Sequence, residues 1–151
     1  MIMTLNDVLT KQNVITKVIL KDGDKELNKA LKVKIMRIRM AYTKAKKKFD
    51  EEVQEFTSEL IPQELQDLNA KTEKTDADNT RIEELTMKVN SEYQEFLIQK
   101  GNEEVEIIDD TLTEDDYTDI VEVNAGNDVE INGNSIKAVD FLEIIYDLFV
   151  A

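Results

Sequence analysis

Between residues 25 and 61 apolar side chains return every three or four positions: Leu27, Leu31, Ile35, Ile38, Tyr42, Ala45, Phe49, Val53, Phe56 and Leu60. That spacing lines them along one side of an α-helix, and the alternating steps of three and four from Ile35 to Phe49 form a heptad seam. No Gly or Pro interrupts the run, so the pattern predicts one helix over 25–61, about 50 Å long. A second run, from Thr80 to Lys100, carries Ile82, Leu85, Val89, Tyr93 and Phe96 in the same rhythm and meets a C-terminal stop at Gly101-Asn102. Pro62 suits the first turn of a short helix over 63–68. The polar stretch 69–79 has no core pattern and reads as the connector. Two helices with matching seams and a polar connection are expected to close antiparallel, as an αα-hairpin.

The flanks read differently. Thr4 can cap a first helix through about residue 12, with Asp7 well placed in its first turn. Residues 13–20 are apolar and β-branched and fit helix or strand, and Lys21-Asp22-Gly23-Asp24 reads as a turn followed by a helix cap. Glu104-Val105-Glu106-Ile107 alternates like a half-buried strand, residues 112–123 are acidic with β-branched members, and Asp128-Val129-Glu130-Ile131 repeats the alternation before Asn132-Gly133. Two or three short strands are expected there. Asn134 or Ser135 then caps a final helix to Val150. Its apolar residues Ile136, Val139, Phe141, Leu142, Ile145, Leu148 and Phe149 cover most of its circumference, so it must be buried in this subunit or in a neighbour. The fold class expected is α+β, mostly α: a single domain over 1–151, with a long antiparallel helical hairpin (25–100) and a small acidic β/helix docking unit (101–151).

Composition narrows the chemistry. The 151 residues contain no Cys and no His, which removes disulfides, thiolate sites, His-based triads and zinc-hydrolase motifs together. The missing Cys fits an intracellular folding history. There are 33 acidic and 19 basic side chains, a formal charge of −14, which disfavours non-specific attraction to nucleic acid or an anionic membrane. The first residues show neither a basic n-region nor a long apolar stretch, so no secretion signal is expected. Asp140, Glu143 and Asp147 form a polar stripe on the last helix and keep it from spanning a membrane.

The charges are segregated. Residues 28–48 hold nine bases and no acid, and residues 101–135 hold twelve acids and no base. The first expectation is that the acidic segment neutralises the basic helix, within the chain or in a neighbouring copy. A docking rail for an acidic protein partner ranks second, and nucleic acid third, because few aromatics are available for base stacking. Residues 109–116 lack the ligand rhythm and glycine of a Ca²⁺ loop. Asn124–Asn134 only faintly echoes a Ca²⁺-binding repeat, so no metal site is expected. With so many acids, close carboxylate pairs arise by chance, and the four glycines lie too far apart to cradle a phosphate. Tyr42, Phe49 and Phe56, spaced at sevens, read as core anchors that could equally face another subunit. No catalytic residue and no cofactor are assigned. The candidate partner-binding residues are Lys44, Lys46, Lys47 and Lys48 on the basic helix, and Phe141, Ile145, Leu148 and Phe149 on the last.

Arg39-Met40-Ala41-Tyr42-Thr43-Lys44-Ala45-Lys46, running on to Glu51, Glu55 and Phe56, resembles the K-x-A-Y-x-x-A-K … F-E helix of a family of small tailed-bacteriophage proteins of unknown function. Glu104 to Ile107 matches that family's E-V-E-I strand, and residues 140–149 match its terminal helix. The order of elements agrees over roughly residues 10–150, while the polar connector 69–79 is longer here. The resemblance implies a phage setting and no catalytic residues. The expected function is therefore a non-enzymatic virion structural or assembly protein, associated with capsid, connector or tail and binding other phage structural proteins as a homo- or hetero-oligomer. It would reside in the virion or the host cytoplasm. The alternatives are a transient assembly chaperone or regulatory protein absent from the particle and, ranked last, a nucleic-acid-binding protein using the basic helix.

Overall fold

The computed structural model describes residues 1–150; Ala151, the end of the expected docking unit, lies outside the described residues. The chain adopts the α+β, mostly α class, with six α-helices and three two-stranded antiparallel ladders among the described residues. It divides into two compact units: Met1–Lys46 together with the chain from Glu104 on (unit 1), and Lys47–Glu103 (unit 2).

Unit 1 opens with β1 (Ile2–Thr4) and α1 (Leu5–Ile15). Thr4 caps α1 as its hydroxyl accepts from the Asp7 N–H at 3.2 Å. A small hairpin follows, β2 (Lys21–Asp22) and β3 (Lys25–Glu26), turning at Gly23 with φ 61°. Helix α2 (Lys29–Ser58) therefore starts later than the predicted residue 25, and Asn28 caps it by accepting from the Leu31 N–H at 2.9 Å. After unit 2 the chain returns as β4 (Glu104–Glu106), which pairs with β1 in the register Ile2↔Glu106, Met3↔Val105, Thr4↔Glu104.

Residues 112–123 are not strands. They enter α5 (Glu114–Asn124), whose start is fixed by a capping box between Thr113 and Asp116 and by three acids in its first turn. Ile120 and Val123, one turn apart, bury one face. β-Branched composition is a weaker signal than a complete cap with an i, i+3 apolar pair.

The strand expected at residues 128–131 forms as β5 (Val129–Ile131) and pairs with β6 (Asn134–Ile136) across Asn132-Gly133, both at positive φ. Asn134 and Ser135 are thus strand residues, not helix caps. The last helix, α6, spans Ala138–Ile145, and the Asp128 carboxylate accepts its first N–H, from Ala138, at 3.0 Å. A π-helical turn over Tyr146–Val150 follows. The interior of unit 1 gathers Val8 and Ile15 of α1, Leu31, Ile35, Ile38 and Tyr42 of α2, Leu112, Ile120 of α5, and Phe141 and Ile145 of α6, all nearly inaccessible to solvent.

Unit 2 consists of the last part of α2, α3 (Gln63–Ala70) and α4 (Asp76–Gly101). Here the predicted hairpin exists: Phe56 stacks on Phe96 with ring centroids 4.0 Å apart, and Glu52 pairs with Lys100 at 2.7 Å, which sets the two helices antiparallel. The hairpin is shorter than its seam. Leu31, Ile35, Ile38 and Tyr42, expected to face the returning helix, belong instead to the interior of unit 1. The connector is also shorter than predicted. α3 extends to Ala70, and Thr75 starts α4 through a capping box with Asp78, leaving only residues 71–75 between them. Arg81 reaches across from α4 to α3 with a two-pronged contact to Glu64 at 2.8 and 3.0 Å.

Candidate functional site

Part of the acidic segment meets part of the basic helix inside unit 1. Lys34 of α2 pairs with Asp116 of α5 at 2.7 Å. Asn28 donates to Asp119 at 2.8 Å. Burial pushes the Asp116 carboxyl up, but the Lys34 ammonium and the Thr113 N–H outweigh it and hold the group below the usual carboxylate range. Arg39 serves differently. Its guanidinium donates to the carbonyls of Ile15, at 3.0 Å, and Val18, covering the open carboxyl end of α1.

The most buried charge is Asp110, only 2% exposed. It lies between β4 and α5, where Ile107 and Leu112 are buried on either side. Two groups reach its Oδ2: the Tyr42 hydroxyl from α2, and the Lys11 ammonium from α1 at 2.8 Å. Lys11 also sits 5.1 Å from the centre of the Phe149 ring, which stands perpendicular to the Tyr42 ring with centroids 6.5 Å apart. Burial first, and then the Asp110 carboxylate, push the Tyr42 hydroxyl far above its ordinary value. A phenol held this firmly protonated is a donor and not a base or nucleophile. The arrangement joins three segments distant in sequence, with every buried side-chain polar atom of the described residues satisfied.

Above this network lies an open cleft of about 280 Å³, lined by Met3, Asp7, Thr10, Lys11, Asp147 and Leu148. It contains charges of both signs, and its one cation is already engaged by Asp110. No group of three or more acidic side chains among the described residues is arranged to hold a metal ion. No helix among them is long and apolar enough to cross a membrane.

The partner-binding residues proposed from sequence separate into two outcomes. Phe141, Ile145 and Phe149 lie in the interior of unit 1, so the chain itself covers the face they were expected to offer; Leu148 is half-exposed at the cleft. The terminal helix is apolar because it is a core element of its own subunit. Lys44, Lys47 and Lys48 are exposed and Lys46 is half-buried.

The surface left uncovered lies elsewhere. In unit 2 Leu65, Leu85 and Gly101 are buried, whereas Phe49, Val53, Phe56, Leu60, Val89, Tyr93 and Phe96 remain half-exposed. A layer of two helices with a short third has nothing to cover both flanks of its seam. Sequence reasoning missed Asp110, Lys11 and Asn124, the last a buried amide that accepts from the Ile19 N–H at 2.7 Å and donates to the Ile19 and Ile120 carbonyls at 3.1 and 2.9 Å. A local signal for Asn124 existed, since it continues the buried face of α5 one residue past Val123. For Lys11 and Asp110 there was none, as their contact spans 99 positions. No family model, curated protein or solved structure matches this chain.

Proposed function

We propose that this protein acts by binding other proteins, as a structural or assembly component of a tailed phage, and that the seam of unit 2 is a surface it binds with. The observation that carries the binding role is the row of half-exposed aromatic and aliphatic residues, Phe49, Val53, Phe56, Tyr93 and Phe96 among them, left uncovered after the hairpin closes. A contiguous apolar strip rimmed by charge is the usual mark of an interaction surface. The phage setting is supported by the resemblance of residues 39–56, 104–107 and 140–149 to small tailed-phage proteins. The buried Tyr42–Asp110–Lys11 group supports a non-enzymatic reading, because its polar atoms are turned to holding the fold together.

Mass spectrometry of purified particles from a phage encoding this chain tests the proposal. A structural component is present at fixed stoichiometry. Absence from the particle, with presence in infected cells, favours the transient chaperone or regulator instead. Variants that place a charge on the seam should lower incorporation without changing the helical content of the free protein.

A further inference from the structure

Helix α2 carries a second apolar stripe, on the side away from the core of unit 1. Val33, Met36 and Met40 follow one another at spacings of three and four and are 39%, 51% and 70% exposed. They lie opposite Leu31, Ile35, Ile38 and Tyr42 on the helical wheel. Lys29, Arg37 and Lys44 surround the stripe and are exposed. Among the described residues none of these three cations has a carboxylate partner; the cations of unit 1 that do are Lys11, Lys32 and Lys34. Unbranched methionines adapt to the contours of a partner surface, so their exposure beside free cations describes a docking face.

Unit 2 is the chemical complement of that stripe. Its 57 residues carry fifteen acidic and seven basic side chains. Glu59, Glu92 and Glu95 are exposed beside the half-exposed Leu60, Tyr93 and Phe96, and none of the three is in an ion pair among the described residues. A helix presenting apolar residues flanked by cations would complete a two-helix layer whose apolar seam is flanked by carboxylates.

We propose that the Val33–Met36–Met40 stripe of one copy docks on the Phe56–Tyr93–Phe96 face of unit 2 of a second copy, so that copies join head to tail. Charge decides the occupant. Pairing unit 2 with itself sets two strongly acidic surfaces together, and pairing the stripe with itself sets Lys29, Arg37 and Lys44 against their own copies. The heterologous contact covers both apolar strips and pairs the opposite charges. Such a contact is not self-complementary, so it closes into a ring or continues as a filament. The inference rests on the binding role proposed above for the seam of unit 2, but not on the phage setting.

The test is sedimentation or light scattering of the full-length chain over a wide concentration range. The wild type should grow beyond a dimer, and the growth should weaken as salt rises from 50 to 500 mM, on the order of the screening that a few interfacial ion pairs predict. Met36→Glu with Met40→Glu removes one face, and Glu59→Lys with Glu92→Lys and Glu95→Lys removes the other. All five positions are exposed, and unchanged circular dichroism verifies that both variants fold. Each alone should remain monomeric. Mixed in equal amounts they should form a one-to-one dimer and stop, because each retains one working face. Three results overturn the proposal: a monomeric wild type, a methionine variant that still self-associates, or a mixture that stays monomeric. Wild type that is monomeric yet binds phosphatidylserine vesicles or duplex DNA through the same stripe overturns it as well. A monomeric wild type that is still fixed in the particle ends head-to-tail pairing and leaves the binding role standing.

Discussion

Replacing Asp110 with Ala tests whether the buried charge cluster is what joins the first and last segments of unit 1. The substitution leaves the Tyr42 hydroxyl, fully buried, with only the Met3 sulfur nearby at 3.7 Å. An unsatisfied buried hydroxyl costs about 1–3 kcal/mol. Lys11 loses its partner too, but its side chain is 15% exposed, so water recovers part of the charge and the loss falls below the roughly 3–5 kcal/mol of a fully buried broken pair. Together the expected cost is about 3–4 kcal/mol, which for a chain of this size lowers the melting temperature by roughly 10 °C. Thermal and urea unfolding followed by circular dichroism measure it. The sharper test is the coupling. In a Tyr42→Phe background no hydroxyl is left stranded, so Asp110→Ala should cost about 1–2 kcal/mol less than it does in the wild type. Equal costs in the two backgrounds would mean that Tyr42 and Asp110 are not energetically joined, and a cost under about 0.5 kcal/mol would refute a structural role for the carboxylate altogether.

The same network sets an alkaline limit. The Tyr42 hydroxyl is raised above its ordinary value of 10.0, so above that pH the unfolded chain ionises first and binds fewer protons than the folded one. Stability is whole below pH 10 and falls as pH climbs toward the folded value, and Tyr42→Phe should remove that part of the decline in urea titrations at pH 9 and 11. Asn124→Leu should cost about 2–4 kcal/mol, because the Ile19 N–H and C=O both lose their partner in a buried site; calorimetry that finds the variant as stable as wild type contradicts this.

The legible parts of this fold are those whose determinants are local. Thr4 with Asp7, the uninterrupted run through α2, the stop at Gly101-Asn102 and the Asn132-Gly133 turn each act within a few residues, and each element formed. What was misread depended on partners distant in sequence. The apolar seam of α2 is continuous from Leu31 to Phe56, but nothing in its spacing tells that Leu31 to Tyr42 are buried in the interior of unit 1 while Phe56 meets Phe96. Period alone specifies a face, never its occupant. The terminal helix posed the same ambiguity, and here burial in its own subunit prevailed. Residues 112–123 differ in kind: their β-branched composition favours strand, but the local Thr113–Asp116 capping box starts a helix. The stripe Val33, Met36 and Met40 was equally visible at spacings of three and four, hidden only by the stronger seam on the opposite side.

The segregation of charge along the chain takes on a physical meaning once the two units are distinguished. If the acidic segment 101–135 served only to offset nine bases on 28–48, its carboxylates would be spread around α2. They are not: Asp110, Asp116 and Asp119 engage Tyr42, Lys11, Lys34 and Asn28, all within unit 1. Arg39 is held by carbonyls instead. That leaves Lys29, Arg37 and Lys44, on the outward side of the helix, without neutralisation from the segment that had charge to spare, for Glu104, Asp115, Glu122 and Glu130 are exposed and form no ion pair among the described residues. Intramolecular neutralisation accordingly accounts for the inner side of α2 and not for its outer side. An acidic unit 2 with an apolar strip, and a basic stripe with apolar residues along it, are each incomplete alone, and their complementarity is the simplest physical reason for a chain with so large an excess of acid to keep three unpaired cations on one helix face.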